Sequence, residues 1–507
     1  MTTAVSNMDT TADHRRWWLL SAVVVMATLY SMTILIVSVI LPQMQGSLSA
    51  SPDQISWTMT FNILATAVVT PMTGWLTGRW GWRLVILTCL VGFTLATLFC
   101  GLSQNLEQLV FFRILQGGLG APLIPLAQTV VLSSFPKHQH GVVTSIFGMG
   151  VVVGPIIGPV LGGFLSELYN WRFAFFMIVP LGVAATGMLW ALLPDRGREE
   201  RVGFAWTGFL GLATALACLQ LILDRGQRAD WFESTEILTE TAIGISAFGV
   251  YILHSLLSRA PLLNLGLLVN RNYALGLIIV TVYGMLNFTP MVLLPVMLQD
   301  LGGYPESIIG LLIAGRGVGA VFGFFFANWV NRVDPRVGIA IGFLMQAWSG
   351  WHMMNFTMGV SMLDVMLASF VQGLAVGLIW VPLTVSTFAR IPNNYMAETS
   401  AVYHLLRNVG STIFISLSVT TVIRVSTRER AQLSEFINPY SDALQSFGSS
   451  ATYDLSNMLD LARLSAELTD QAQMIGFLNA FGLYTFMSVV VLVPVVFIQP
   501  PEKAAPE

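Results

Sequence analysis

The chain has 507 residues, a net charge of −3, 55% hydrophobic residues and 10% charged ones, against roughly 25% charged in an ordinary soluble domain. With a mean hydropathy of +0.71, no soluble core can hide that much apolar surface, so lipid must be the solvent for most of it. The balance of charge, with no basic block and only Lys137 and Lys503 as lysines, argues against nucleic acid as a partner.

The start, Met1 to His14, is polar and lacks the apolar core and cleavage site of a signal peptide. The first apolar run is therefore read as a retained span behind a tail of residues 1–16. A span needs about 20 mostly apolar residues. That rule predicts six helices in residues 17–193, near 17–41, 54–77, 83–103, 108–132, 141–166 and 171–193. Two more fall in 204–258, near 204–223 and 237–258. Six further helices occupy 272–498, near 272–298, 307–330, 336–359, 364–388, 399–424 and 475–498, before a tail of 499–507. One connection is long and polar, residues 425–472, where Leu455, Met458, Leu459, Leu461 and Leu464 suit an amphipathic helix outside the bilayer.

Arginine and lysine set the orientation. With the N-terminus inside, fourteen of them fall on the cytoplasmic side and seven outside, so both termini are expected in the cytoplasm. Arg79, Arg83, Lys137, Arg196, Arg198, Arg201, Arg332, Arg336 and Arg390 are the loop positions that decide it.

The chain also repeats itself. Tyr30-Ser31-Met32 leading to Leu41-Pro42 recurs as Tyr283-Gly284-Met285 leading to Leu294-Pro295, and Trp75, Arg79 and Arg83 recur as Trp329, Arg332 and Arg336. Gln116-Gly117 followed by Pro125 recurs as Gln372-Gly373 followed by Pro382, and Thr144-Ser145 as Thr399-Ser400. Four matches in order at nearly one offset mean two six-helix halves in the same orientation, with two helices inserted between them. The expected class is an all-α membrane protein of fourteen transmembrane helices. Parallel halves with a site between them near the midplane describe a rocking secondary transporter.

All 27 acidic residues lie in loops or near span ends, whereas Arg113, Arg316 and Arg407 lie inside apolar runs. A charge at the bilayer centre costs about 2.5–3.5 kcal/mol even on the lenient scale, so each should face a cavity or a partner. His404 precedes Arg407 by three residues, on the same helix face. Glycines 150, 154, 158 and 162 also share one face, where another helix can approach backbone to backbone, and Pro155 and Pro159 bend the helix there. That face is read as a sealed or pivoting contact between the halves, with ordinary tight packing as the alternative. Cys89, Cys100 and Cys218 sit at unrelated spacings in apolar runs, and no His, Cys or acidic cluster has metal-ligand spacing. There is no Walker A sequence and no nucleophile–base pairing, so no metal, cofactor or enzyme activity is expected.

Several of these runs resemble a known family. Gly74-Trp-Leu-Thr-Gly-Arg79-Trp-Gly81-Trp-Arg83 resembles the loop 2–3 motif of the major facilitator superfamily, and Arg113-Ile-Leu-Gln116-Gly117-Gly-Leu-Gly120-Ala-Pro its fourth-helix motif. The run from Gly150 through Gly154-Pro155, Gly158-Pro159 and Gly162-Gly163 is similar to its fifth-helix antiporter motif. Leu223-Asp224 to Phe232 and Leu405 to Gly410 resemble the fourteen-span drug:proton antiporters of the EmrB/QacA type, and the likeness covers the whole chain. The resemblance implies a major facilitator fold and proton-linked export of amphipathic compounds across the inner membrane, with a periplasmic membrane-fusion adaptor and an outer-membrane channel as partners. It makes Gly74, Arg79, Gly81 and Arg83 a cytoplasmic latch, although Gly78 replaces the usual acidic residue of that motif.

The first helix departs from the family, with Thr33, Ser38 and Leu41-Pro42 where many relatives carry an acidic residue, then Asn, then Leu-Pro. Buried cations without a buried anion favour a weakly acidic amphiphile over a cationic dye. Arg113, Arg316, Arg407 and His404 are the expected charge and proton-coupling residues. Tyr30, Thr33, Gln116, Tyr283, Met285, Phe288, Trp380 and Tyr403 are the expected cavity, each with plain helix packing as its alternative. An uptake or exchange carrier for an organic anion, and a non-transporting sensor or scaffold, stay open as other functions.

Overall fold

The computed structural model describes residues 2–194, 203–258, 261–330, 334–437 and 457–499, and the side chains of these apart from 2–13, 52–53 and 306–307. Arg196, Arg198, Arg201, Arg332 and Leu455 lie outside the described residues. Every element described is helical.

Six helices build the first half: α1 (Thr2–Ser47), α2 (Gln54–Trp80), α3 (Trp82–Leu102), α4 (Leu106–Ser134), α5 (His140–Leu168) and α6 (Arg172–Leu192). Two inserted helices follow, α7 (Trp206–Arg225) and α8 (Thr235–Leu257). The second half comprises α9 (Arg271–Asp300), α10 (Ile308–Val330), α11 (Pro335–Met354), α12 (Met362–Phe388), α13 (Met396–Glu435) and α14 (Met458–Val496). Thirteen helices among the described residues are long and apolar enough to span a membrane. The other, α11, has the length of a span at 20 residues, but Arg336, Gln346, Ser349 and His352 dilute its hydropathy.

Local chemistry sets the ends. Ser51 and Gln54 form a reciprocal capping box at the start of α2, each side chain holding the other's backbone N–H. Asn105, Asn270, Ser361 and Asn457 cap α4, α9, α12 and α14 with their side-chain oxygens. Gly81 joins α2 to α3 at φ 81°, in the left-handed region that glycine enters freely. Pro71 lies in a 3₁₀ turn that interrupts α2, and Ala121-Pro122 interrupts α4.

The two halves pack alike. In the first, α1 lies against α5, α2 against α4, and α3 against α4 and α6. In the second, α9 lies against α13, α10 against α12, and α11 against α12 and α14. The repeated sequence thus folds into a repeated packing. The halves touch where α5 meets α10 and α12, and where α2 and α4 meet α13. The inserted pair straddles that second seam. Thr60 of α2 donates to the Asp224 carboxylate at 2.9 Å, and Ser416 of α13 donates to the Leu223 carbonyl at 2.8 Å.

The structure corrects the long connection. Helix α13 runs to Glu435 rather than ending near 424, and α14 starts at Met458 rather than near 475. Met458, Leu459, Leu461 and Leu464 therefore belong to the first turns of α14, not to a separate helix. At 40 residues, α13 is about 60 Å long, twice the roughly 30 Å hydrocarbon layer. The 20-residue rule finds the apolar stretch and is blind to a helix that continues into water.

Candidate functional site

The polar core of the first half is built around Arg113. Its Nε donates to the Thr58 carbonyl at 3.0 Å, and one terminal nitrogen donates to the Gln116 side chain and, at 3.5 Å, to the Thr33 carbonyl. Gln116 in turn donates to Thr97 at 2.7 Å, and Asn62 donates to the Arg113 carbonyl at 2.8 Å. Arg113 is 1% exposed and lies inside its own half. The expectation that it faces a central cavity is corrected, because the Thr58 and Thr33 carbonyls on α2 and α1 take up its Nε and one terminal nitrogen. Thr33 donates to the Tyr30 carbonyl, and Tyr30 meets Thr66 at 3.2 Å and the Phe93 ring, so these two are packing residues of the first half. Replacing Arg113 with Gln is expected to lower the thermal stability of the purified protein by about 1–3 kcal/mol, through orphaned buried groups. It should leave the ranking of exported compounds unchanged, and a changed ranking at unchanged stability would put Arg113 back in the cavity.

The halves enclose a cleft between α5 and the second half. Val151, Val152, Pro155 and Ile156 form one wall, and Tyr283, Asn287, Phe288, Met291, Arg316, Trp380 and Arg407 form the other. Tyr283 and Trp380 pack ring to ring at 5.5 Å, and the Arg407 guanidinium lies 5.3 Å from the Trp380 ring centre. Arg316 donates to both the carbonyl and the side-chain oxygen of Asn287. Of the expected cavity residues, Tyr283, Phe288 and Trp380 line the cleft. Tyr403 is buried behind it, 3.2 Å from Thr384 and against the rings of Trp380 and Phe388, and Met285 packs on the adjoining core. Asn287 escaped the sequence reading. Its position, one helical turn after Tyr283 on the same face, was the available signal.

Helix α5 shows two faces. Gly150, Gly154 and Gly158 lie against Val24, Thr28, Ser31 and Met32 of α1, Gly162 against Ile36 and Gly163 against Val39. The antiporter-motif glycines thus make a contact inside one half, and the reading of that face as the contact between halves is corrected. The neighbouring face of α5 carries the inter-half contact. There Gly148 meets Phe324 and Trp380, and Pro155 looks into the cleft beside Ile156. Pro159, one turn after Pro155, is half-buried.

The closure between halves lies at the end that carries both termini. Ser400 donates to the Pro125 carbonyl at 3.0 Å and Thr129 to the Met396 carbonyl at 3.4 Å. His404 pairs through Nε2 with the side-chain oxygen of Gln128, while its Nδ1 is buried without a partner among the described residues. His404 therefore sits in the closure, one layer from the cleft. Gly74 meets Glu398 of the other half, and a Cβ on it would come within 2.9 Å of the Glu398 Cβ. Arg79 lies near the Trp75 ring at 5.6 Å, and Arg83 donates to the Trp190 carbonyl at 2.8 Å. Of the residues of the expected latch, Gly74 touches the other half at Glu398, whereas Arg79 and Arg83 contact their own half.

The three cysteines are free and buried, and no group of metal-binding side chains occurs among the described residues.

Residues 22–415 match the family model described as Major Facilitator Superfamily. The chain is 31% identical over 472 residues to the multidrug export protein EmrB of Escherichia coli K12, covering 92% of each chain. It is 30% identical over 470 residues to EmrB of Haemophilus influenzae, again covering 92% of each. Among solved structures, the human organic anion transporter MFSD10 superposes with a TM-score of 0.61 at 12% identity, over 93% of this chain and 99% of that one, a likeness of fold. The chain belongs to the major facilitator superfamily, in its EmrB-type branch.

Proposed function

We propose that the protein is a proton-linked exporter of amphipathic compounds in the inner membrane, working by alternating access. The observation that carries this reading is the pair of similarly packed halves, closed together at one end around a cleft near mid-helix. The halves of residues 17–193 and 272–498 are the proposed moving bodies, with α7 and α8 bridging them. Likeness to EmrB over nearly the whole chain supports export rather than uptake. The arginine asymmetry supports a cytoplasmic position for the closed end.

His404 is the proposed proton carrier. Its bond to Gln128 crosses the closure, so a change in its protonation acts directly on the contact that must part. The extended α13 and α14 are the proposed seat of a periplasmic adaptor, itself coupled to an outer-membrane channel.

In everted vesicles, an inward-acid gradient is expected to drive accumulation of a fluorescent amphiphile, and His404→Ala should abolish the gradient dependence. Accumulation indifferent to an uncoupler would sink proton coupling, and movement in the opposite sense would favour an uptake carrier. Deleting residues 440–465 should remove resistance in cells while vesicle transport persists. Loss of both would refute the adaptor assignment.

A further inference from the structure

The two halves treat their buried arginines differently. Arg113 in the first half has its donors taken by carbonyls and Gln116. Arg316 in the second half is 2% exposed, and only one of its terminal nitrogens is bonded, to Asn287. Its Nε and other terminal nitrogen are buried without a partner among the described residues. Arg316 shares the cleft with Arg407, which is 5% exposed and held by the Asn408 side chain at 3.2 Å and the Trp380 ring. No acidic side chain lines that cleft. Two guanidinium groups in one apolar-walled space need an anion, since water can solvate them but cannot cancel their charge.

The size of the space selects the anion. The cleft has about 20 Å³ of free volume in this conformation, and one water-sized particle needs roughly 10–15 Å³. An amphiphile does not fit there, and a planar carboxylate with a tail does not either. We propose that the cleft binds one monatomic anion, chloride in the cell, at the unbonded Nε and terminal nitrogen of Arg316. The guanidinium fork supplies several N–H donors to a spherical acceptor without demanding a fixed geometry. The ion offsets the charge of Arg316 while the cargo space is collapsed. When the cleft widens, the head group of an acidic cargo takes its place, a step that rests on the transport reading, whereas the binding itself does not.

The test uses the purified full-length protein in detergent, moved from sodium gluconate to sodium chloride at constant ionic strength. A saturable rise in the unfolding midpoint is expected with chloride and bromide and not with gluconate. Chloride-35 resonance broadening by the wild-type protein should disappear on adding decanoate, a carboxylate with an apolar tail. Arg316→Gln should raise the chloride concentration at half-saturation by about tenfold or more, and Arg316→Lys should restore part of the affinity. The broadening experiment needs no variant, so it decides the matter even where Arg316→Gln does not fold. Identical midpoints in chloride and gluconate without broadening would overturn the proposal. So would a chloride response preserved in a folded Arg316→Gln protein, or stabilisation by decanoate without any by chloride. Absent chloride binding with intact export removes this site alone and leaves the transport reading standing.

Discussion

Replacing Gly154 with leucine is expected to cut export by roughly tenfold or more at equal protein amount, or to prevent accumulation of folded protein. A Cβ at Gly154 would stand 2.7 Å from the Thr28 carbonyl oxygen and closer still to the Ser31 hydroxyl. The first of those neighbours is backbone in the middle of α1 and cannot step aside without moving the helix. Gly158 is in the same position, with the Met32 carbonyl 2.9 Å from its would-be Cβ. Helices this close gain van der Waals contact along their length and have no hydrophobic force to reseat them once lipid enters the gap. Overpacking by a methylene or two costs about 1–3 kcal/mol in a well-packed core, and leucine adds more than that. Because α5 carries the glycine contact on one face and the cleft wall on the next, displacing it from α1 also shifts Val151, Val152, Pro155 and Ile156. Gly187, with nothing within 4 Å of its would-be Cβ, provides the control in Gly187→Ala. Uptake into everted vesicles, normalised to folded protein, is the measurement. A Gly154→Leu protein exporting at the wild-type rate would show that α1 and α5 need not be in contact for transport.

The same helix shows what a sequence does and does not carry. The four-residue spacing of Gly150, Gly154, Gly158 and Gly162 identifies a face made for close approach, and that face exists. Spacing names a face and not the neighbour, and the neighbour is α1 rather than the other half. The signal for α1 lay in Thr28 and Ser31, small polar residues three apart on one face of an apolar helix. The buried arginines teach a related lesson. Hydropathy alone found Arg113, Arg316 and Arg407, and all three are buried. Which of them is satisfied depends on carbonyls of other helices, 55 residues away for Thr58, and no residue type announces a backbone acceptor. Helix number, order and repetition were legible because the bilayer imposes a length on every span. The outer reach of α13 and α14 was not, because beyond the lipid that constraint ends.

Cross-linking position 128 to position 404 is expected to stop export completely and reversibly. The proposed cycle requires the closure at the terminus-bearing end to part once per turnover. That closure includes several polar contacts: the Gln128–His404 pair, Ser400 on the Pro125 carbonyl, Thr129 on the Met396 carbonyl, and Gly74 against Glu398. Net hydrogen-bond contributions of about 0.5–1.5 kcal/mol each suit a contact that must open repeatedly. A covalent link at its centre cannot be outweighed by any substrate or gradient. Gln128→Cys with His404→Cys places two thiols where the side chains now meet, in a background of Cys89→Ser, Cys100→Ser and Cys218→Ala, whose native thiols are free and buried. His404→Cys alone also removes the proposed proton carrier, so the readout is counterflow of labelled substrate without a gradient, which needs alternation and not coupling. Oxidation should abolish counterflow and reduction restore it, while each single-cysteine protein stays indifferent to both. A second pair, Ser400→Cys with Pro125→Cys, leaves His404 in place and should show the same block in proton-driven export. Counterflow that continues through a verified cross-link would mean that α4 and α13 move as one body, and the moving seam would then have to lie elsewhere, between α5 and α10.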